Sequence, residues 1–227
     1  VPELDRKLAA MIDHTLLRPD ADGGEVDNLC VEALRFGFAT VCVQPVWVAR
    51  AARTLAGSRV GVASVVSFPH GASVTATKVA EAARARDDGA TELDVVANLA
   101  AIRAGDDAAV RDEIAAVVQA ARGAAVKVIL ETSLWSPERI TAAARAAVAG
   151  GAAFVKTSTG FSAGGASELA VRTLREAVGP AIGVKASGGI RTRAQALAMV
   201  AAGATRIGAS ASVSIALDVT PGPQARY

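Results

Sequence analysis

The stretch Ala153-Phe154-Val155-Lys156-Thr157-Ser158-Thr159-Gly160, the segment 167–178 and then Ile182-Gly183-Val184-Lys185-Ala186-Ser187-Gly188-Gly189 together form one repeating unit. Two short apolar runs flank a segment of helical length, which predicts two parallel strands joined by a crossover helix. The unit recurs in both directions. Strand-like runs begin near Met11, Thr40, Val60, Glu92, Val126, Ala153, Ile182 and Thr205. Helical patterns cover 25–36, 46–55, 74–88, 107–122, 137–149, 167–178 and 193–202. Eight strands alternating with helices favour a closed (β/α)8 TIM barrel over an open sheet. The length of 227 residues suits one barrel domain over 1–227, although two small domains would also fit it. A short helix is expected before the first strand, and 220–227 is expected to form a flexible tail.

Punctuation supports these boundaries. Gly37, Gly89, Gly123, Gly150-Gly151, Gly179 and Gly203 each follow a helical run and precede a strand, where a left-handed cap is expected. Ser136-Pro137-Glu138 places an N-cap before a first-turn proline and an acid. Hydrophobic residues make up 52% of the chain but aromatics only 4%, so the core must be built from Ala, Val, Leu and Ile. That suits buried parallel strands under alanine-rich helices.

Composition also narrows the function. A net charge of +2, with no block of like charges, gives no electrostatic case for nucleic acid or an anionic membrane. No apolar run approaches the length of a membrane span. The charged start, Val1-Pro2-Glu3-Leu4-Asp5, is unlike a signal peptide, and Cys30 and Cys42 have no metal-type spacing. A cytoplasmic protein is expected.

In a barrel, reactive groups gather at the C-terminal ends of strands. Lys156 and Lys185 occupy such ends on adjacent strands, about 30 residues or one β/α unit apart. Two ammonium groups in one desolvated pocket repel each other, and both effects lower a lysine pKa. A free amine can then attack a carbonyl and form an iminium, an electron sink for carbon–carbon bond chemistry. The plainer explanation is a pair of lysines snorkelling at the rim. Their adjacency, and the Ser/Gly-rich loop after each, favour chemistry.

Other strands contribute partners. In Glu92-Leu93-Asp94-Val95-Val96, Glu92 and Asp94 share parity and point inward if Leu93 and Val95 face the helices. Asp94 is expected to relay protons, with a purely orienting ion pair as the alternative, and the deeper Glu92 is expected to be structural. Lys127 shares parity with Ile129 and Glu131 and is expected deep inside, paired with Glu92 or Asp94. Asp13 and Thr15 share parity on the first strand and are expected at the pocket floor. With only His14 and His70 present, and no H-x-H pattern, no metal site is expected. The loops Ser158-Thr159-Gly160, Ser187-Gly188-Gly189 and Gly208-Ala209-Ser210 are candidates for phosphate, which needs backbone N–H groups and small residues.

Taken in order, these segments resemble the deoxyribose-phosphate aldolase family of class I, Schiff-base aldolases. The matching stretches are Ile12-Asp13-His14-Thr15-Leu16-Leu17, Phe68-Pro69-His70-Gly71, Glu92 to Asn98, Lys127 to Thr132, Phe154 to Phe161, Val184 to Arg191, and Arg206-Ile207-Gly208-Ala209-Ser210. The resemblance implies reversible cleavage of 2-deoxy-D-ribose 5-phosphate to D-glyceraldehyde 3-phosphate and acetaldehyde, with no cofactor. It assigns the imine to Lys156, pKa lowering and proton transfer to Lys185, and a proton relay to Asp94. It also implies phosphate contacts at Gly160, Gly188, Gly189 and Ser210. Cys42 matches a pocket-side cysteine of the family, though a buried small hydrophobe explains it equally well. Some members carry paired serines where this chain has Ser210-Ala211, which removes one hydroxyl from the phosphate site. Tyr227 is the only tyrosine and the last residue, and relatives ending in tyrosine suggest a phenol that reaches the pocket. A homodimer is compatible with the family. The alternatives are a class I aldolase or transaldolase acting on another sugar phosphate, and a non-catalytic sugar-phosphate-binding barrel.

Overall fold

The computed structural model describes residues 3–220. Helix α1 (Arg6–Ala9) leads into strand β1 (Ile12–Leu16). There follow α2 (Gly23–Phe36), β2 (Thr40–Val43), α3 (Val48–Thr54), β3 (Gly61–Val66), α4 (Thr75–Asp87) and β4 (Glu92–Val96). The second half runs α5 (Leu99–Ala104), α6 (Asp107–Ala121), β5 (Ala125–Ile129), α7 (Pro137–Ala149), β6 (Phe154–Lys156), α8 (Glu168–Val178), β7 (Gly183–Ser187), α9 (Arg193–Ala201), β8 (Arg206–Ala209) and α10 (Ser212–Leu217). The strands pair in sequence order, all parallel, and β8 pairs back onto β1 to close the barrel.

Alternation along the strands creates two cores. Leu93 and Val95 of β4 join Val41 and Val43 of β2 and Val128 of β5 in the layer between barrel and helices. Leu17, Cys42, Ala63 and Val65 form a second, small apolar cluster apart from the first. Because period 2 sends alternate residues to opposite faces, Leu93 and Val95 facing outward turns Glu92 and Asp94 inward.

Local chemistry explains the helix ends. Asp22 and Glu25 form a reciprocal capping box at the start of α2, as Thr192 and Gln195 do at α9. Ser136 accepts from the Arg139 N–H ahead of Pro137. Gly37, Gly89, Gly123, Gly151, Gly179 and Gly203 have positive φ, as their positions imply. Gly150 corrects the expectation, since its φ is −78°. Its glycine identity answers to space, because an added Cβ would lie 2.6 Å from the Arg111 carbonyl oxygen. Arg122, not a glycine, takes the left-handed position that ends α6. The helix expected at 46–55 begins as a 3-10 turn over Pro45–Trp47. The short helices α5 and α10 were not foreseen, being too brief to carry a periodic pattern. Among the described residues no helix is long and apolar enough to cross a membrane.

Candidate active site

The barrel interior holds a continuous ion network built from six strands. Register places it: Lys156 pairs with Lys185 across β6 and β7, so the two lysines stand at one height. Ile129 is the β5 partner of Lys156, which sets Lys127 two residues deeper. Asp94 is the β4 partner of Lys127. Lys127, Lys156, Lys185, Asp13 and Asp94 are all buried.

Asp94 is the hub. Its Oδ2 accepts from Lys156 Nζ at 2.6 Å and from Lys185 Nζ at 2.7 Å, while its Oδ1 accepts from Lys127 Nζ at 2.7 Å. Lys185 Nζ also donates to Asp13 Oδ2 at 2.5 Å. Lys127 Nζ lies 2.5 Å from Glu92 Oε2 and 3.5 Å from Asp13 Oδ2. Arg206 spans Asp13 Oδ1 at 2.6 Å and both Glu92 oxygens at 3.0 and 3.2 Å. Gly208 makes room for this geometry: a Cβ there would lie 2.8 Å from Cε of Lys185.

These contacts give the three lysines different charge states. Burial pushes the Lys156 pKa down; Asp94 opposes the shift and the Lys185 ammonium reinforces it. Desolvation is therefore the chief cause, with charge repulsion from Lys185 secondary. Lys185 shifts the other way. Burial works against its charge too, but Asp13 and Asp94 outweigh that and hold its pKa above the usual value. Lys127 behaves likewise, with Asp94 and Asp13 overcoming burial. Burial alone would raise the Asp94 pKa, yet Lys127, Lys156 and Lys185 hold its carboxyl well below the usual range. Burial, aided by Asp94, pushes the Cys42 thiol up to about 11. Thr15 donates to the carbonyl of Asp13, within its own strand.

The loop after β6 is anchored from β5. Glu131 has φ of 52°, an uncommon conformation for a residue with a side chain. Its Oε2 accepts from the Thr159 N–H at 3.2 Å and the Thr159 hydroxyl at 2.7 Å, and its Oε1 accepts from Ser162 at 2.9 Å. Thr157 and Ser187 cross-link the ends of β6 and β7: the Thr157 hydroxyl donates to the Ser187 carbonyl and accepts from its N–H. Gly160, Gly188 and Gly189 have positive φ, and an added Cβ at Gly165 would lie 2.4 Å from the Gly188 carbonyl oxygen. The two loops thus pack backbone to backbone, and Ala166 donates to that same carbonyl at 3.0 Å.

The network joins Asp13, Asp94, Lys127, Lys156 and Lys185, all singled out from sequence. Ser210 lines a cavity of about 540 Å³ beside His14, Thr15 and Leu16. Another cavity, of about 750 Å³, lies in the helical layer beside Arg111, Thr141 and Arg145 and touches none of the network. Tyr227 lies outside the described residues. Sequence reasoning gave no role to Arg206 or to Glu131. The inward parity of Arg206, two residues before Gly208, was a usable signal; its partner Asp13 is 193 residues away, and nothing local names it.

A buried lysine amine at a strand end, next to a second lysine and a shared carboxylate, is an arrangement that can carry out carbonyl chemistry through an imine. Comparison with known proteins gives the class. Residues 7–218 match the family model described as DeoC/LacD family aldolase, and the chain belongs to that family. Within it, the chain is 52% identical over 218 residues to deoxyribose-phosphate aldolase 1 of Bacillus licheniformis, covering 96% of this chain and 98% of that one. It is 51% identical to the deoxyribose-phosphate aldolase of Bacillus cereus, covering 97% and 99%. Among solved structures, the tetrameric deoxyribose phosphate aldolase of Aeropyrum pernix superposes with a TM-score of 0.87 at 38% identity, covering 94% of this chain and 90% of that one.

Proposed function

We propose that this chain reversibly cleaves 2-deoxy-D-ribose 5-phosphate to D-glyceraldehyde 3-phosphate and acetaldehyde through a Schiff base on Lys156. One observation carries the assignment: of the three interior lysines, Lys156 is the one whose burial outweighs its partners and lowers its pKa. The uncharged amine attacks the C1 aldehyde of the open-chain sugar, and water leaves to form the iminium. The C3 hydroxyl then loses its proton and the C2–C3 bond breaks, its electrons passing into the iminium to give an enamine. Glyceraldehyde 3-phosphate departs. Protonation of the enamine at C2 and attack of water release acetaldehyde and restore the amine.

Asp94 and Lys185 are the proton-handling pair. Asp94 touches both lysines and is held ionised, so it can accept the C3 hydroxyl proton; the charged Lys185 donates the proton taken up at C2 and is then recharged from the protonated Asp94. Lys127 pairs with Asp94 and Asp13 pairs with Lys185, and Thr15 lies on the same strand as Asp13. Cys42 serves as a small apolar wall, consistent with its raised pKa. Gly160, Gly188, Gly189 and Ser210 are assigned to the phosphate, supported by the tight turns of the first three next to the lysine strands. The full chain acts as one barrel domain, self-associates, and works in the cytoplasm without a cofactor.

The test is borohydride reduction in the presence of acetaldehyde, followed by peptide mapping. The expected adduct lies on Lys156. An adduct on Lys127, or none, overturns the assignment. Chelator is expected to leave turnover unchanged, and size-exclusion chromatography reads the assembly.

A further inference from the structure

We propose that Arg206 and Glu92 are positioning residues that set the protonation state of Lys156, because they complete a buried ion network that is balanced in charge only when Lys156 is an uncharged amine. The proposal rests on the reading of Lys156 as the reactive amine and supplies its electrostatic origin.

The charges around Lys156 can be named strand by strand. β1 supplies Asp13, β4 supplies Glu92 and Asp94, β5 supplies Lys127, β7 supplies Lys185 and β8 supplies Arg206. β2 supplies Cys42, whose thiol stays protonated near neutral pH with its pKa at about 11. β3 supplies Ala63 and Val65, which carry no charge. His14 of β1 is engaged elsewhere, with its Nε2 2.8 Å from Glu32 of α2. Among the described residues, three carboxylates therefore face three cations before Lys156 is counted.

The oxygens are allotted in the same way. Arg206 takes Asp13 Oδ1 and both oxygens of Glu92, Lys185 takes Asp13 Oδ2, and Lys127 takes Asp94 Oδ1 and Glu92 Oε2. Lys156 is left with one oxygen, Asp94 Oδ2, which it shares with Lys185. A fourth cation would be an uncompensated charge in a buried cluster, which is strongly unfavourable. Arginine does not release its proton, and Lys127 and Lys185 each touch at least two carboxylates. Lys156 touches one and gives up its proton most readily. Arg206 is fixed in place by more than charge, since its guanidinium stacks 5.4 Å from the centre of the Phe154 ring on β6.

Removing Arg206 leaves three carboxylates against two cations, and protonation of Lys156 restores the balance. Removing the Glu92 charge does the reverse. The experiment measures the pH dependence of acetic anhydride labelling of Lys156 in the full chain, read by peptide mass. Arg206→Met is expected to raise the titration midpoint by about one unit and Glu92→Gln to lower it by a similar amount. The double variant is expected to return to the unsubstituted value, and Arg206→Lys, which keeps the charge, to stay there. The acid limb of kcat/KM should move with each midpoint. Midpoints that stay fixed, or that shift in one direction for both single variants, overturn the proposal. If Arg206→Met does not fold, Glu92→Gln decides alone: an unchanged or raised midpoint overturns it. Borohydride trapping on the same variants separates the two ideas. Titration shifts without an adduct on Lys156 refute the imine but not the charge balance, and an adduct without shifts does the opposite.

Discussion

Two buried lysines in this molecule meet carboxylates in opposite ways. Lys78 of α4 is fully buried and paired one to one with Glu113 of α6, at 2.8 Å. Its ammonium also donates to the Val96 carbonyl, and Glu113 accepts from the Asn98 N–H, so the pair ties two helices to the end of β4. Lys156, by contrast, competes for its single carboxylate oxygen. Burial lowers the pKa of both lysines, and in both a carboxylate partner opposes the shift. What separates them is the neighbouring cation. Among the described residues no cation acts on Lys78, whereas Lys156 faces Lys185. Burial of a lysine is therefore not by itself a sign of chemistry, whereas a surplus of cations over carboxylates is.

Substitutions at the two lysine sites should have different consequences. The largest effect is expected from Lys156→Arg, because a guanidinium cannot form the imine. Turnover should fall on the order of 10⁴-fold or more, with trapping abolished and circular dichroism unchanged. Asp94→Asn comes next: it strips the hub of charge and should lower kcat by roughly 10²–10⁴-fold, the range of a lost acid–base partner. On the structural side, Lys78→Met leaves Glu113 buried and unpaired. Denaturant titration should show a loss of about 3–5 kcal/mol, with the pH profile of kcat/KM unmoved. A shifted profile would mean that the two lysine sites are coupled. The smallest effect is expected from Cys42→Ala, about 1 kcal/mol of stability and an unshifted acid limb, because an uncharged thiol adds nothing to the balance.

The pH sign follows from the lowered pKa of Lys156. The amine is protonated and inert below that value and reactive above it. Activity should therefore rise with pH through a midpoint below the ordinary lysine pKa of about 10.4, and be lost as pH falls through that midpoint. An acid limb at the ordinary value would contradict a desolvated amine.

Much of this was legible in the sequence. The strands start within one residue of their expected positions, because β-branched runs and helix-length spacers carry the alternation locally. Strand parity turned Asp94 and Lys127 inward, and the spacing of one β/α unit set Lys156 beside Lys185. What escaped was non-local. Arg206 and Asp13 meet through barrel closure, and Glu131 reaches Thr159 and Ser162 because its own backbone leaves the strand conformation. What holds the charge on Lys185 is non-local for the same reason. Repulsion between neighbours is visible along the chain, while the attraction of Asp13, 172 residues away, is not.

The ion contacts between β8, β7 and β1 carry a consequence for how the protein is made. Asp13 enters near the start of the chain and Arg206 near its end, so the network is incomplete until the last strand docks. Before that docking, a lysine at position 156 that is open to water would keep the ordinary pKa of about 10.4 and its charge near neutral pH. If Lys156 is the imine lysine proposed above, its reactivity arrives only with closure of the barrel.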